Sequence, residues 1–498
     1  MPAQQQPNIL FIMTDQQRFD AMSCHGGQAI TPHLDRLAGM GADLQQFYTQ
    51  TPVCVPSRQN IFSGRHFIAR NGEAGLLQPS EIHLFKTLKQ AGYYLGYTGK
   101  NHLLETQEFD NFDFSDLDQP LRKEPQQSEA RQAFQRLQQQ SGEMLETKGC
   151  WASGCFFEGD ETAMDSYRIR ESAIRCLRQA PADRPFCLTV SFLDPHVPHV
   201  APAKFKEWYP LEHITLPSYP PEVLEQKAPR FKLKQRGQRM DLATTEGLQR
   251  YLQVYYSMIS CVDEQVGAIW DELKASGRDR DTIIVFTADH GDFACDYGMT
   301  KKDLVLLDVL LNVPCLIVWP GHIAPNAISN TLAEQIDLMP TLLDLCDIAV
   351  PPGCQGQSLK PLLFGETAVH KNTVHLEVCR PASHNPYATF AEFYTAWQRH
   401  HAHPGHELSW SNSFNIPGDY SRGIRTTEWK YIWYGDEFEE LYDLRIDPHE
   451  FDNLALRPEY RPRCAEMNAQ MWQAAQDLSD WRSSAERVTE NAIYDMWK

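Results

Sequence analysis

The chain has 498 residues, 42% apolar and 22% charged, and a formal charge of −19. The length exceeds one ordinary core and predicts two domains, and the composition is that of a globular protein. The acidic charge argues against nucleic acid or an anionic membrane as a partner.

The N-terminus, MPAQQQPNILFIM, has no basic region and no small-residue cleavage site, so it reads as the start of a strand rather than a signal peptide. Residues 8–14 form a short apolar run between Pro7 and Asp15, as a buried parallel strand does. Runs at 92–98, 186–193, 281–287 and 314–319 read the same way. Between them, residues 33–42, 81–92 and 258–277 place apolar side chains at helical spacing, each ending near Gly. Residues 117–148 are rich in Gln and charge and predict an exposed helix or insertion. Residues 212–245, rich in Pro and Lys, read as a long loop. The most apolar stretch, residues 304–321, carries Asp308, Asn312 and Pro314 and is no membrane span.

Strands alternating with helices predict an α/β fold with a large, mainly parallel sheet sandwiched by helices. After about residue 366 the pattern changes. Residues 423–434 and 439–444 read as antiparallel strands and 457–482 as a closing helix. The expected division is a catalytic domain over 1–366 and a smaller α+β domain over 367–498.

Ligands of such sheets bind at the carboxyl ends of strands. Asp15-Gln16, Lys100 with His102, Asp194 to His196, and Asp289-His290 each follow a predicted strand directly. Four strand ends thus deliver polar groups to one edge. Asp15, Gln16, Asp289 and His290 are candidate ligands of one divalent cation, and oxygen donors suit calcium, magnesium or manganese. A single Asp-Gln or Asp-His after a strand is ordinarily turn chemistry; two pairs taken together with one further residue, a Cys, argue otherwise.

That Cys lies in Cys54-Val55-Pro56-Ser57-Arg58, of the form C-x-P-S-R. The pentapeptide resembles the maturation signature of the formylglycine-dependent (type I) sulfatases, in which the Cys becomes a Cα-formylglycine. Further likeness runs through Gly99-Lys100-Asn101-His102, through Asp194-Pro195-His196-Val197-Pro198, and through residues 334–345, 356–363 and 440–455, nearly the whole chain. The resemblance implies an alkaline-phosphatase-like fold and a sulfuric ester hydrolase. Cys54 would be the nucleophile and a further metal ligand, and Arg58 would hold the modified residue. Gly64-Arg65-His66 would complete the helix start. Lys100 and His102 would bond the formylglycine hydroxyls, with His102 as base. His196 would protonate the leaving alcohol with a pKa near neutrality. Lys302, favoured over the adjacent Lys301 by its count from Gly298, would bind a sulfate oxygen.

Gln16 and His290 replace the carboxylate and amide of the family's commonest metal set. That variant looks like the phosphonate monoester hydrolases and the choline-type sulfatases. Calcium is the first expectation for the metal, with magnesium or manganese as alternatives. The implied partners are a small sulfated substrate (a sulfated sugar, a choline-like or an aryl sulfate) and a formylglycine-generating maturation enzyme; homo-oligomerisation is left open. A long sulfated polymer would be repelled unless a basic patch offset the overall charge. The rival readings are a phosphonate monoester or phosphodiester hydrolase with the same residues, and a binding protein with unmodified Cys54.

Thirteen scattered cysteines fit a reducing, cytoplasmic setting better than a disulfide framework. Cys150 and Cys155 would pair only in a secreted chain. The histidines at 400, 401, 403 and 406 form a cluster expected on a loop near the pocket mouth.

Overall fold

The computed structural model describes residues 6–67, 76–117, 128–379, 420–434 and 438–480. The histidine cluster at 400–406 lies outside them.

Eight strands make the main sheet: β1 (Asn8–Thr14), β2 (Ala42–Leu44), β3 (Tyr94–Gly99), β4 (Phe114–Leu117), β5 (Phe186–Ser191), β6 (Thr282–Ala288), β7 (Cys315–Val318) and β8 (Ala327–Ser329). Their spatial order is β8-β2-β7-β6-β1-β5-β3-β4. Each predicted strand is present within a few residues of its expected bounds. All pairings are parallel except those of β7, which runs against both β6 and β2.

Alternate residues of β1 supply two cores, as the two-residue period requires. Ile9, Phe11 and Met13 pack under α2 (Cys54–Ser63), α3 (Leu84–Gln90) and the later helix Leu338–Leu345. Leu10 and Ile12 pack under α1 (Pro32–Met40), Asp165–Gln179 and Thr245–Ala275 on the other face. Covering both faces lets a parallel sheet bury continuous apolar strands.

Residues 212–245 differ from the long loop expected. They contain short 3₁₀ turns, a helix over Arg230–Gly237, and the first residue of Thr245–Ala275, a helix 31 residues long. Three of its basic residues are spent internally. Lys234 is buried against Asp303, Arg230 lies 4.9 Å over the Tyr434 ring, and Lys227 bonds the Tyr442 hydroxyl at 2.6 Å. Residues 129–148 do form a helix.

The C-terminal region carries an antiparallel four-stranded sheet, Val374–Cys379, Tyr420–Arg425, Trp429–Tyr434 and Glu439–Asp443, paired in chain order. One face packs Ile424, Tyr431 and Leu441 under the closing helix Arg461–Asp480. The other packs Leu376, Ile432 and Tyr442 on Leu304 to Leu307 of the main body. Asp308 fastens the same join, 2.7 Å from Lys430 and 3.0 Å from Arg425. Among the described residues no helix is long and apolar enough to cross a membrane.

Candidate active site

The central strands β6, β1, β5 and β3 are neighbours and parallel, so their carboxyl ends lie side by side. Register completes the placement. Thr14 stands opposite Ala288 and Gly99 opposite Ser191. Asp15 therefore emerges beside Asp289, and the Lys100 amide bonds Ser191 O at 2.8 Å. Cys54 comes from a different element, the first residue of α2, where unpaired N–H groups favour negative charge. Gly64 caps the other end of that helix with φ 64, so Gly64-Arg65-His66 marks the helix end, not its start.

Asp15, Cys54, Asp289 and His290 each turn a ligand atom into one cluster, all within 4.8 Å of one another and buried. Arg58 lies under it, fully buried. Its Nε donates to Asp289 Oδ2 at 3.0 Å, Nη2 to Asp15 Oδ2 at 3.1 Å, and Nη1 to Ser191 Oγ at 2.7 Å and Lys100 O at 3.2 Å. The guanidinium thus bonds the two carboxylates rather than the Cys54 thiol. Lys100 Nζ closes the other side of Asp15 Oδ2 at 2.5 Å.

Lys302, not Lys301, faces the nucleophile. Its Nζ lies 3.2 Å from Cys54 Sγ, 3.0 Å from His290 Nε2 and 3.9 Å from Asp15 Oδ1. His102, exposed and in a left-handed conformation at φ 90, and His196 both lie beside Cys54. His196 Nδ1 donates to Val197 O at 2.7 Å, which leaves Nε2 facing inward, 3.9 Å from Asp15 Oδ1. Gln16 stands beside the cluster. Its amide N–H bonds Asp289 Oδ1 at 3.0 Å, and its side-chain nitrogen bonds Asp292 Oδ2 at 2.6 Å.

The charges follow from these contacts. Burial alone would raise the Cys54 thiol, but Lys302, Lys100 and His102 hold it well below its usual value. Burial also opposes the Asp15 carboxylate, yet Lys100, His196, Lys302 and Arg58 keep it well below the usual range. Asp289 is pushed up by burial and then by the neighbouring Asp15. His196 departs from the near-neutral expectation. Burial and the charges of Lys302 and Lys100 push it down to about 4, so the imidazole is neutral at pH 7.

The sulfatase family model matches residues 7–348, more than two thirds of the chain. The chain belongs to the sulfatase family. Among curated relatives, this sulfatase is 28% identical to an ulvan-active sulfatase of Formosa agariphila over 95% of its own length and 82% of the relative's. It is 28% identical to a choline-sulfatase of Rhizobium meliloti over 91% of this chain and 83% of that one. A solved phosphonate monoester hydrolase from Silicibacter pomeroyi shares its fold, with a TM-score of 0.74 at 22% identity over 95% of this chain and 96% of that one.

The family implies a divalent metal and a formylglycine, and the donor set of this sulfatase fits the metal. Asp15 Oδ1 is buried without a hydrogen-bond partner. His290 Nδ1 donates to Gly291 O at 2.9 Å, so Nε2 presents a lone pair to the cluster. The Lys302 ammonium bonds that lone pair and Cys54 Sγ, which shows these atoms turned toward positive charge. Cys150 and Cys155 are free thiols, among twelve in the described residues. Nothing in the sequence singles out Ser191, which bonds Arg58, or Asp292, although Asp292 stands two residues after His290.

Proposed function

We propose that this sulfatase cleaves a small sulfate monoester to alcohol and inorganic sulfate through residue 54, after a maturation enzyme converts Cys54 to formylglycine. The observation that carries the reading is the Cys54 side chain, at a helix start and in the ligand cluster, with Lys302 Nζ at 3.2 Å. The aldehyde hydrate offers two geminal hydroxyls: one attacks sulfur, and deprotonation of the other releases sulfate. Asp15, Gln16, residue 54, Asp289 and His290 would hold one divalent cation, calcium first, magnesium or manganese otherwise. Such an ion polarises sulfate oxygens and offsets their developing charge.

The other groups act directly. Lys302 binds and neutralises a sulfate oxygen, and Lys100 bonds a formylglycine hydroxyl. Arg58 aims Asp15 and Asp289 and opposes the rise that burial imposes on each. His102 takes the proton of the second hydroxyl. His196 delivers a proton to the leaving alcohol. A neutral His196 has to take that proton from solvent on Nε2 when the ester binds, and the ester's own negative charge favours the gain.

Sulfated sugars and choline sulfate are the first substrates to assay, given the names of the two relatives. Intact mass and turnover test the nucleophile together. Active wild-type protein is expected about 18 Da lighter than its sequence, as replacing the thiol by an aldehyde requires. Cys54→Ala is expected to keep its fold and lose more than about 100-fold in kcat. Full activity in protein of unmodified mass would overturn the covalent route.

A further inference from the structure

Gln16 is held on three sides. Its φ of 72 is left-handed, a conformation that persists in a non-glycine residue only where the surroundings enforce it. Its main-chain N–H bonds Asp289 Oδ1 at 3.0 Å, its carbonyl accepts the Tyr255 hydroxyl at 2.9 Å, and its side-chain nitrogen donates to Asp292 Oδ2 at 2.6 Å. Asp292 is fully buried. Its second oxygen accepts the Tyr251 hydroxyl at 3.1 Å and the Ala294 amide at 2.6 Å. With three donors aimed at it, Asp292 acts as an acceptor.

Tyr251 and Tyr255 come one turn apart from the helix Thr245–Ala275, their rings nearly parallel at 10°. The Tyr251 hydroxyl also accepts the Lys301 amide at 3.4 Å, the residue before the lysine that faces Cys54. One helix thus braces two segments of the site.

We propose that Asp292, itself fixed by Tyr251, is a positioning residue that turns the Gln16 amide oxygen, rather than its nitrogen, toward the Asp15–Cys54–Asp289–His290 cluster. The inference rests on reading that cluster as a divalent-cation site. An amide offers a cation only its oxygen, and at a carboxylate only its nitrogen can donate. A buried carboxylate on the far side therefore selects the useful orientation. Hydrogen-bonded neighbours of metal ligands orient them in this way elsewhere.

Calorimetric titration of the metal-free protein with Mn²⁺ and with Ca²⁺ tests it. Asp292→Ala is expected to weaken binding about 10–100-fold, as loss of such a partner does. Gln16→Ala is expected to weaken it comparably. The double variant is expected within about twofold of Gln16→Ala alone, since Asp292 acts through that side chain. Should Asp292→Ala not fold, Tyr251→Phe removes only a hydroxyl; about a threefold weakening, absent in the Gln16→Ala background, is expected. Wild-type affinity in Asp292→Ala, or losses that add in full, would overturn the positioning role. A wild-type protein that binds neither ion would instead overturn the cation-site reading, and the proposal with it.

Discussion

Replacing Arg58 by Met is expected to destabilise the metal-free protein by about 3–5 kcal/mol, the cost of leaving a buried charge without its partner. The structure locates that loss. Arg58 makes four hydrogen bonds to oxygen, and its side chain and both carboxylates it bridges are 0% exposed. Asp15 would keep Lys100 at 2.5 Å. Asp289 would keep only the amides of Gln16 at 3.0 Å and His290 at 2.9 Å on its Oδ1, and lose its Arg58 bond on Oδ2. The penalty should therefore fall mainly on Asp289. Adding Asp289→Asn to Arg58→Met is expected to recover about 1–3 kcal/mol, because it removes the uncompensated charge. Arg58→Lys keeps a charge but cannot span four acceptors, and is expected to lose an intermediate amount. Urea unfolding followed by tryptophan fluorescence, with chelator present, measures all four proteins. A midpoint for Arg58→Met that places it within about 1 kcal/mol of wild type would refute the argument, since a paired buried guanidinium cannot be removed so cheaply.

Chelation is expected to abolish turnover while far-UV circular dichroism stays unchanged, because the ligands sit on strand ends of a sheet already covered on both faces; activity in protein shown metal-free by elemental analysis would contradict the ligand set. His196→Ala is expected to slow an alkyl or sugar sulfate at least ~10-fold more than a nitrophenyl sulfate, whose leaving group departs unprotonated. Equal losses would make His196 a binding residue. On matched aryl esters, kcat/KM for the sulfate should exceed that for the phosphonate; the reverse would favour the phosphonate hydrolase reading. Burial would raise Asp308, but Arg425 and Lys430 hold it from 3.8 down to about 2. That depressed value contributes about 2 kcal/mol, present above pH ~4 and lost as pH falls toward ~2. Asp308→Asn should accordingly flatten stability across that acid window in urea unfolding. Glu450, pushed up to about 6 by burial and the Asp308 charge, has the opposite sign and acts at higher pH.

Much of the site was legible in the sequence for a local reason. A short apolar run fixes where a strand ends, and parallel topology sends every such end to one edge. Asp15, Lys100, His102, His196, Asp289 and His290 could be placed there without coordinates, and Cys54 by its pentapeptide. The four C-terminal strands differ: residues 423–434 and 439–444 were read because their alternation survives in sequence, while Val374–Cys379 was not singled out. What only the tertiary structure decided is how charges are paired across long separations. The helix Arg230–Gly237 lies in a stretch whose Pro and Lys content reads as a loop, whereas Lys234 is buried against Asp303, 69 residues away. Arg58 meets Asp289 across 231 residues, and Gln16 meets Asp292 across 276. Sequence patterns report which side chains prefer burial and at what period. They carry no record of which buried charge another will find, because that depends on sheet register and on the helices laid across it. The orientation of the Gln16 amide, the bridging of two carboxylates by Arg58 and the low value of His196 all belong to that second kind of information.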